Sequence, residues 1–329
     1  MDDKEASSMK LSVFAVVLQD RSFEDACRYL SESGVQAVEI GCGGFPGKAH
    51  CNARELLADA DKLRKFTETL KKYNLEIAAL STHGNPVHPD KEIARQFHED
   101  FEDAVLLAEK LGVDTVVTFS GCPGGSPEDK TPNWVTCPWP DDFKDILKYQ
   151  WDEVLIPYWK KEAEFVKAHG VKKIAFEMHP GFCVYNPDTL LRIREAVGDV
   201  IGANLDPSHL FWQGIDPVAA IKKLGKAVYY FHAKDTKIDP YNTAVTGVLD
   251  TKHYGDELNR SWIFRTVGYG HNHQVWKDIM SALRMVGYDG AISIEHEDSL
   301  MSQSEGLQKA IEMLKNVMIF EGTGEMWWA

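Results

Sequence analysis

Eight short β-rich runs alternate strictly with eight helix-patterned runs along this chain, and that order leaves few architectures open. Strands are expected over residues 10–18, 35–40, 75–81, 113–120, 171–177, 200–206, 227–235 and 290–297. Helices are expected over 22–33, 53–73, 90–111, 146–169, 186–197, 216–225, 274–286 and 303–320. The first helix is capped by Ser22 and closed at Gly34, and the second lines up Leu56, Leu57, Ala60, Leu63, Phe66, Thr67 and Leu70 near helical spacing. Parallel neighbours need crossovers, so the alternation specifies a parallel sheet, and eight units suffice to close it. An open doubly wound sheet is the alternative, but no GxGxxG follows the first strand and no phosphate-binding GKS or GKT occurs. The expected fold is therefore α/β: a (β/α)8 TIM barrel in a single domain over 10–320. It lies between a polar N-terminal tail (1–9) and a C-terminal tail (321–329). Long loops follow strand four (121–145) and strand seven (236–270), and loops of that length in a compact domain usually carry function.

Composition removes several classes of function. The 329 residues are 44% hydrophobic, enough for one large core. No apolar run approaches the ~18–20 residues of a membrane span, and the leading MDDKEASSMK lacks the apolar stretch of a signal peptide. A cytoplasmic protein with no membrane partner is expected. Cys27, Cys42, Cys51, Cys122, Cys137 and Cys183 show no CxxC spacing, so free thiols are expected rather than a zinc ribbon or a redox motif. The net charge of −14 disfavours a nucleic-acid surface, which needs basic residues to neutralise phosphates.

Barrels place their chemistry at the C-terminal ends of the strands. Those ends here carry Glu39, His83, Ser120, Glu177 with His179, Asp206 with His209, His232 with Lys234 and Asp235, and Glu295 with Glu297. Four of them end four successive strands: Glu177 in KKIAFEMHP, Asp206 in GANLDPSHL, His232 in VYYFHAKD and Glu295 in AISIEHED. Their intervals of 29, 26 and 63 residues rule out a local turn, so only barrel closure brings them together. Each alone reads as a helix cap, a solvated loop acid or a hydrogen-bonded core histidine. Three carboxylates and one imidazole at one point repel unless a divalent cation neutralises them. An oxygen-rich set with one nitrogen suits Mn²⁺, with Mg²⁺, Co²⁺ and Zn²⁺ as alternatives.

The combination FExHP, NxDPSH, HxKD and SIEHE resembles the xylose isomerase-like TIM barrels, the superfamily of sugar phosphate isomerases and epimerases, over roughly 10–320. The resemblance implies Glu177, Asp206, His232 and Glu295 as metal ligands. It places His209 and Lys234 against substrate and His83 in the pocket wall. Gly268 and Gly270 in TVGYGH match the family's glycine turn. The implied reaction is isomerisation or epimerisation of a ketose or keto-sugar through a cis-enediolate. Glu177 or Glu295 would remove the α-proton, and the other carboxylate, His83 or His209 would return it. The alternatives are a lyase or deglycosidase acting on 3-keto-glycosides, sometimes with a small second subunit in longer relatives, and an inosose isomerase or dehydratase. Trp139, in the aromatic loop 131–140, and Trp212, after DPSHL, are expected to bound a sugar-sized, non-phosphorylated substrate. A homo-oligomer is expected, and Trp327 and Trp328 should dock on the barrel or on another subunit, because exposing them is costly.

Overall fold

The structure, a computed structural model, describes residues 9–322, 324 and 326–329. Of the N-terminal tail, residues 1–8 lie outside that set, and Met9 is buried against the barrel. Eight parallel strands close into one barrel: β1 (Lys10–Phe14), β2 (Ala37–Gly41), β3 (Glu76–Ser81), β4 (Thr115–Thr118), β5 (Lys173–Glu177), β6 (Ile201–Leu205), β7 (Val228–Ala233) and, after a two-strand excursion, β10 (Ala291–Ile294). Neighbours follow chain order, and β10 closes the ring between β7 and β1. No helix among the described residues is long and apolar enough to cross a membrane.

The main core fills the layer between the strands and the surrounding helices. Trp159, for example, sets its ring edge-on against Phe101 at 5.4 Å and Phe176 at 4.5 Å. Inside the barrel a second cluster is made of smaller residues, Ala79, Val117, Ala175 and Ala291 around Tyr230. Side chains alternate across a strand, so residues two apart share a face. Asn204 and Asp206, Tyr230 and His232, and Ser293 and Glu295 therefore point inward in pairs, with the second member nearer the mouth. Register shifts at Val38/Glu39 in β2 and at Ala203/Asn204 in β6 fall directly beneath this mouth, where bulges commonly re-aim side chains.

Five sequence expectations change in detail. The apolar run 10–18 is a strand only to Phe14. Ala15–Leu18 form a buried 3-10 turn, which a continuous apolar run does not distinguish from a strand. The helix expected over 53–73 is two, Ala53–Ala58 and Ala60–Lys72, because the Asp59 carboxylate caps the second by accepting from the amides of Asp61 and Lys62. The region before 169 begins earlier, at Asp142, and passes through a wide π turn at Tyr149–Leu155 before Ile156–Ala168. Pro157 has no N–H to offer the preceding turn, which favours such a widening. The loop expected over 236–270 contains an antiparallel ribbon, β8 (Asp235–Ile238) with β9 (Trp262–Arg265), and a short helix at Pro240–Thr246. Trp327 and Trp328 are 87% and 68% exposed and touch each other edge-on rather than the barrel.

Asp235 fastens the ribbon to the barrel. It is fully buried, and its Oδ2 accepts from the amides of Gly268 (3.0 Å), Gly270 (3.1 Å) and His271 (2.9 Å) and from Trp276 Nε1 (3.2 Å). Gly270 is required there, since a Cβ would lie 2.3 Å from the Thr236 carbonyl oxygen. Replacing Asp235 with alanine leaves several buried donors unpaired. We expect Asp235→Ala to lower the unfolding free energy by about 3 kcal/mol in urea titrations and to speed proteolysis within 247–259. An unchanged midpoint and cleavage rate would show that the ribbon is held by other contacts.

Candidate metal centre

Glu177, Asp206, His232 and Glu295 converge at the C-terminal mouth of the barrel, each offering one ligand atom within 4.8 Å of the others. Glu177 ends β5, Asp206 follows β6, His232 lies near the end of β7 and Glu295 follows β10. Asp206 divides its work. Its Oδ1 accepts from the Ser208 amide at 2.8 Å and caps the short helix Pro207–Phe211, while Oδ2 is buried and makes no aligned hydrogen bond. Capping and site roles, which compete in the sequence, coexist on one carboxylate.

His232 gives the clearest indication of a cation site. Its Nε2–H donates to both oxygens of Glu39, at 3.0 and 2.9 Å. Its Nδ1 then faces Glu177 Oε2 at 3.2 Å and Glu295 Oε2 at 3.1 Å, with no aligned hydrogen bond. A neutral imidazole would aim a lone pair at two carboxylates, so Nδ1 must hold either a proton or a metal ion. Burial opposes the charged ring, but the fields of Glu39 and Glu295 carry the His232 pKa well above its ordinary value. Without a cation, a proton would take the Nδ1 position that faces the two carboxylates.

Glu39 appears in the sequence only as an acid at a strand end. In the structure it is fully buried and also accepts from Ser81 Oγ (2.5 Å) and Ser293 Oγ (2.7 Å), which fixes the plane of its carboxylate against His232. Metal-bound histidines are commonly oriented by a carboxylate in this way. Its pairing with His232, across two intervening strands, leaves no signal in the spacing of the sequence.

Glu177 is surrounded by donors. His83 Nε2 donates to Oε2 at 3.0 Å, His209 Nε2 to Oε1 at 3.1 Å, and Asn204 Nδ2 to Oε2 at 3.3 Å. Burial alone would raise its pKa, but hydrogen bonds from His209 and His83 and the close imidazole of His232 hold it well below the carboxylate range. His83 is held in place by its own loop, which Asn85 ties to Cys122 through paired hydrogen bonds of 2.8 and 3.0 Å. Lys234 is buried beneath the Phe264 ring and contacts Asp206 (3.2 Å), Glu295 (2.8 Å) and Glu297 (3.0 Å).

The expected site residues thus separate into two groups. His83, Glu177, Asp206, His209, His232, Lys234 and Glu295 meet. Trp139 does not join them, being 71% exposed on the loop after β4. Trp212 is buried and stacks on Trp262 at 4.7 Å, beneath the ribbon. His271 stacks on Phe211 at 3.6 Å and bonds Asp235, away from the ligand set. His179, left without a role in the sequence, borders the site with its ring 4.0 Å from that of His209. Burial and the neighbouring His209 lower its pKa to about 3, so it is neutral at physiological pH. Its Nδ1–H donates to the Pro180 carbonyl oxygen at 2.5 Å, which leaves Nε2 as an acceptor.

The donor set fits a divalent ion. Four carboxylates, Glu39, Glu177, Asp206 and Glu295, share the site with a single buried ammonium, Lys234, an imbalance a low-dielectric interior does not tolerate without added positive charge. Fold and donors together define the class: a (β/α)8 barrel with a cation-ready centre at the strand ends. The chain belongs to the xylose isomerase-like TIM barrel family, whose model matches residues 27–317. The Bacillus subtilis (strain 168) protein YfiH, described as uncharacterized, is 43% identical over 94% of this chain and 99% of its own length. Among solved structures, a D-tagatose 3-epimerase-like protein superposes with a TM-score of 0.61 at 21% identity over 94% of this chain and 98% of its own. The IOLI protein with a bound zinc atom gives 0.64 at 20% identity over the same shares. At these identities the two likenesses establish the fold alone.

Two measurements test the centre. Glu39→Gln should weaken Mn²⁺ or Zn²⁺ binding by about 10–100-fold in a competition titration, with the circular dichroism spectrum retained. Wild-type affinity would mean that Glu39 does not orient His232. Because a cation must displace the His232 proton, metal uptake should release protons and tighten from about pH 6 to about pH 8. A pH-independent affinity would exclude His232 as a ligand.

Proposed function

We propose that this protein is a divalent-metal-dependent isomerase or epimerase that acts on a ketose or keto-sugar by α-proton abstraction through a cis-enediolate. The observation that carries this reading is the imidazole lone-pair position of His232 aimed at two carboxylates, in a ring of four ligand atoms. Family membership and the epimerase-like and zinc-bound neighbours support it. A cation held by Glu177, Asp206, His232 and Glu295, with Mn²⁺ favoured by the donor set, would supply Lewis acidity at a substrate carbonyl.

The protein's own groups supply the rest. Glu177 and Glu295 are both held ionised. Burial raises Glu295 as it does Glu177, but Lys234 and His232 more than offset it. Either carboxylate can accept the α-proton, at a cost in basicity that its low pKa measures. His83 and His209 each hydrogen-bond a different oxygen of Glu177, so a proton arriving there has two exits. Return to the opposite face of the same carbon gives epimerisation, and return to the neighbouring carbon gives isomerisation. Lys234 stands within reach of Asp206 and Glu295 to stabilise negative charge building on a substrate oxygen. A second reading, elimination of a group β to the ketone from the same enediolate, is favoured by the roomy aromatic cavity above the centre.

Solvent-deuterium incorporation at the α-carbon tests the proposal with a panel of ketohexoses, inososes and keto-glycosides in D₂O. Glu177→Gln and Glu295→Gln should each slow exchange by roughly 10²–10⁴-fold. His83→Asn removes no ligand, so it should retain metal stoichiometry while losing roughly 10²-fold in exchange. Full exchange in both carboxylate variants would overturn the mechanism.

A further inference from the structure

Above the ligand cluster lies a cavity of about 510 Å³ whose walls contain none of the four ligands. It is lined by Phe45, Phe119, Phe182, Tyr254, Ile263 and Phe264, with His179, Glu297 and Ser299 as its polar members. The aromatic walls begin where the cluster ends. Phe119 meets His83 edge-on at 4.7 Å, and Phe264 meets His209 edge-on at 5.4 Å. Phe119 stacks on Phe182 at 4.2 Å, and Tyr254 stacks on Phe264 at 5.8 Å. The excursion between β7 and β10 thus supplies one wall and the loops after β2, β4 and β5 the other. At the rim, Phe45 is 63% and Tyr254 55% exposed, a large apolar area to leave facing water. Phe45 is held there by its backbone, since its amide donates to the His83 carbonyl at 2.8 Å. That approach requires Gly44, whose Cβ would lie 2.0 Å from the same oxygen.

Accepting the metal-centre reading above, we propose that the substrate is an uncharged cyclic hydroxy-ketone bearing a flat apolar substituent. The ring oxygens would lie over the ligand cluster and the substituent in the aromatic cup. Three observations support this. Reacting oxygens must lie at the ligands, so the space above belongs to another part of the substrate, and cavities of roughly 300–1,000 Å³ hold ligands well beyond one sugar ring. The lining carries no Lys or Arg, and it includes the half-exposed carboxylate of Glu297. Lys234, the nearest ammonium, is already shared among three carboxylates. A phosphate would lose its hydration without the charge-assisted partners that normally replace it. His179, with Nδ1 committed to Pro180, offers Nε2 to a substrate hydroxyl rather than to an anion.

The test is binding to the Mn²⁺-loaded full chain, read by intrinsic tryptophan fluorescence and calorimetry, so that it does not require turnover. Phenyl β-D-glucopyranoside should bind roughly tenfold more tightly than methyl β-D-glucopyranoside, and D-fructose 6-phosphate more weakly than D-fructose. In the double variant Phe45→Ala/Tyr254→Ala the phenyl preference should fall below about threefold. Both side chains are largely exposed, so their loss leaves the core intact. Equal affinities for the two glucosides, a phenyl preference untouched by the double variant, or tighter binding of the phosphate would each overturn the proposal. Failure of the metal-centre reading would show separately, as absent Mn²⁺ binding or absent deuterium exchange.

Discussion

An excess of buried negative charge at one end of the barrel is the constraint on which the site depends. Glu39, Glu177, Asp206 and Glu295 are gathered around one ammonium, Lys234, and the imidazoles of His83, His209 and His232. Part of the imbalance is offset by the raised His232 pKa and by the hydrogen-bond donors around Glu177. Asp206 shows the cost of what remains: burial raises its carboxyl pKa, and Lys234 offsets this only in part. A cation held at the common point, as proposed, would relieve the strain at all four side chains together. The same electrostatics would place the proposed Lewis acid at the open end of the barrel.

Barrel geometry delivers this arrangement with little local preference from the ligands themselves. Because inward residues recur every second position, each strand that ends in a ligand carries its support one layer below. Ser293, beneath Glu295, orients Glu39, and Asn204, beneath Asp206, reaches Glu177. Glu39 in turn orients His232 from the far side of β10 and β1. The layer beneath consists of small residues around Tyr230, which leaves room for polar side chains in place of a packed apolar plug.

Much of this was legible in the sequence for a simple reason. Strand–helix alternation is a periodic signal, and a residue at the end of a parallel strand has only one place to go, so the closed barrel and the meeting of Glu177, Asp206, His232 and Glu295 follow from order alone. Glu39 was visible as an acid at a strand end, but its role is relational: it depends on which neighbour's ring nitrogen lacks a partner, and no spacing encodes that. The aromatic residues were harder still. Trp139 and Trp212 stand out by size, yet one lies exposed on its loop and the other stacks beneath the ribbon. The cavity is lined instead by phenylalanines from four separate segments and by Tyr254, which depend on tertiary closure. The ribbon itself was hidden because β8 continues directly from β7 and its partner β9 lies more than twenty residues away.

That continuity links the centre to the cavity above it. In the run His232-Ala233-Lys234-Asp235, alternate residues face opposite ways, so His232 and Lys234 serve the charged cluster while Asp235 clasps the turn at 268–271 from behind. Any shift of β7 that moved His232 off its carboxylates would also move the anchor of the ribbon carrying Tyr254, Ile263 and Phe264. Lys234 adds a second coupling, since its ammonium bonds the carboxylates below and lies 4.8 Å from the centre of the Phe264 ring above. Charge at the centre and the position of the aromatic wall are therefore set by the same four residues. A substrate filling the cavity, as proposed, would touch a ribbon anchored by the strand that carries His232.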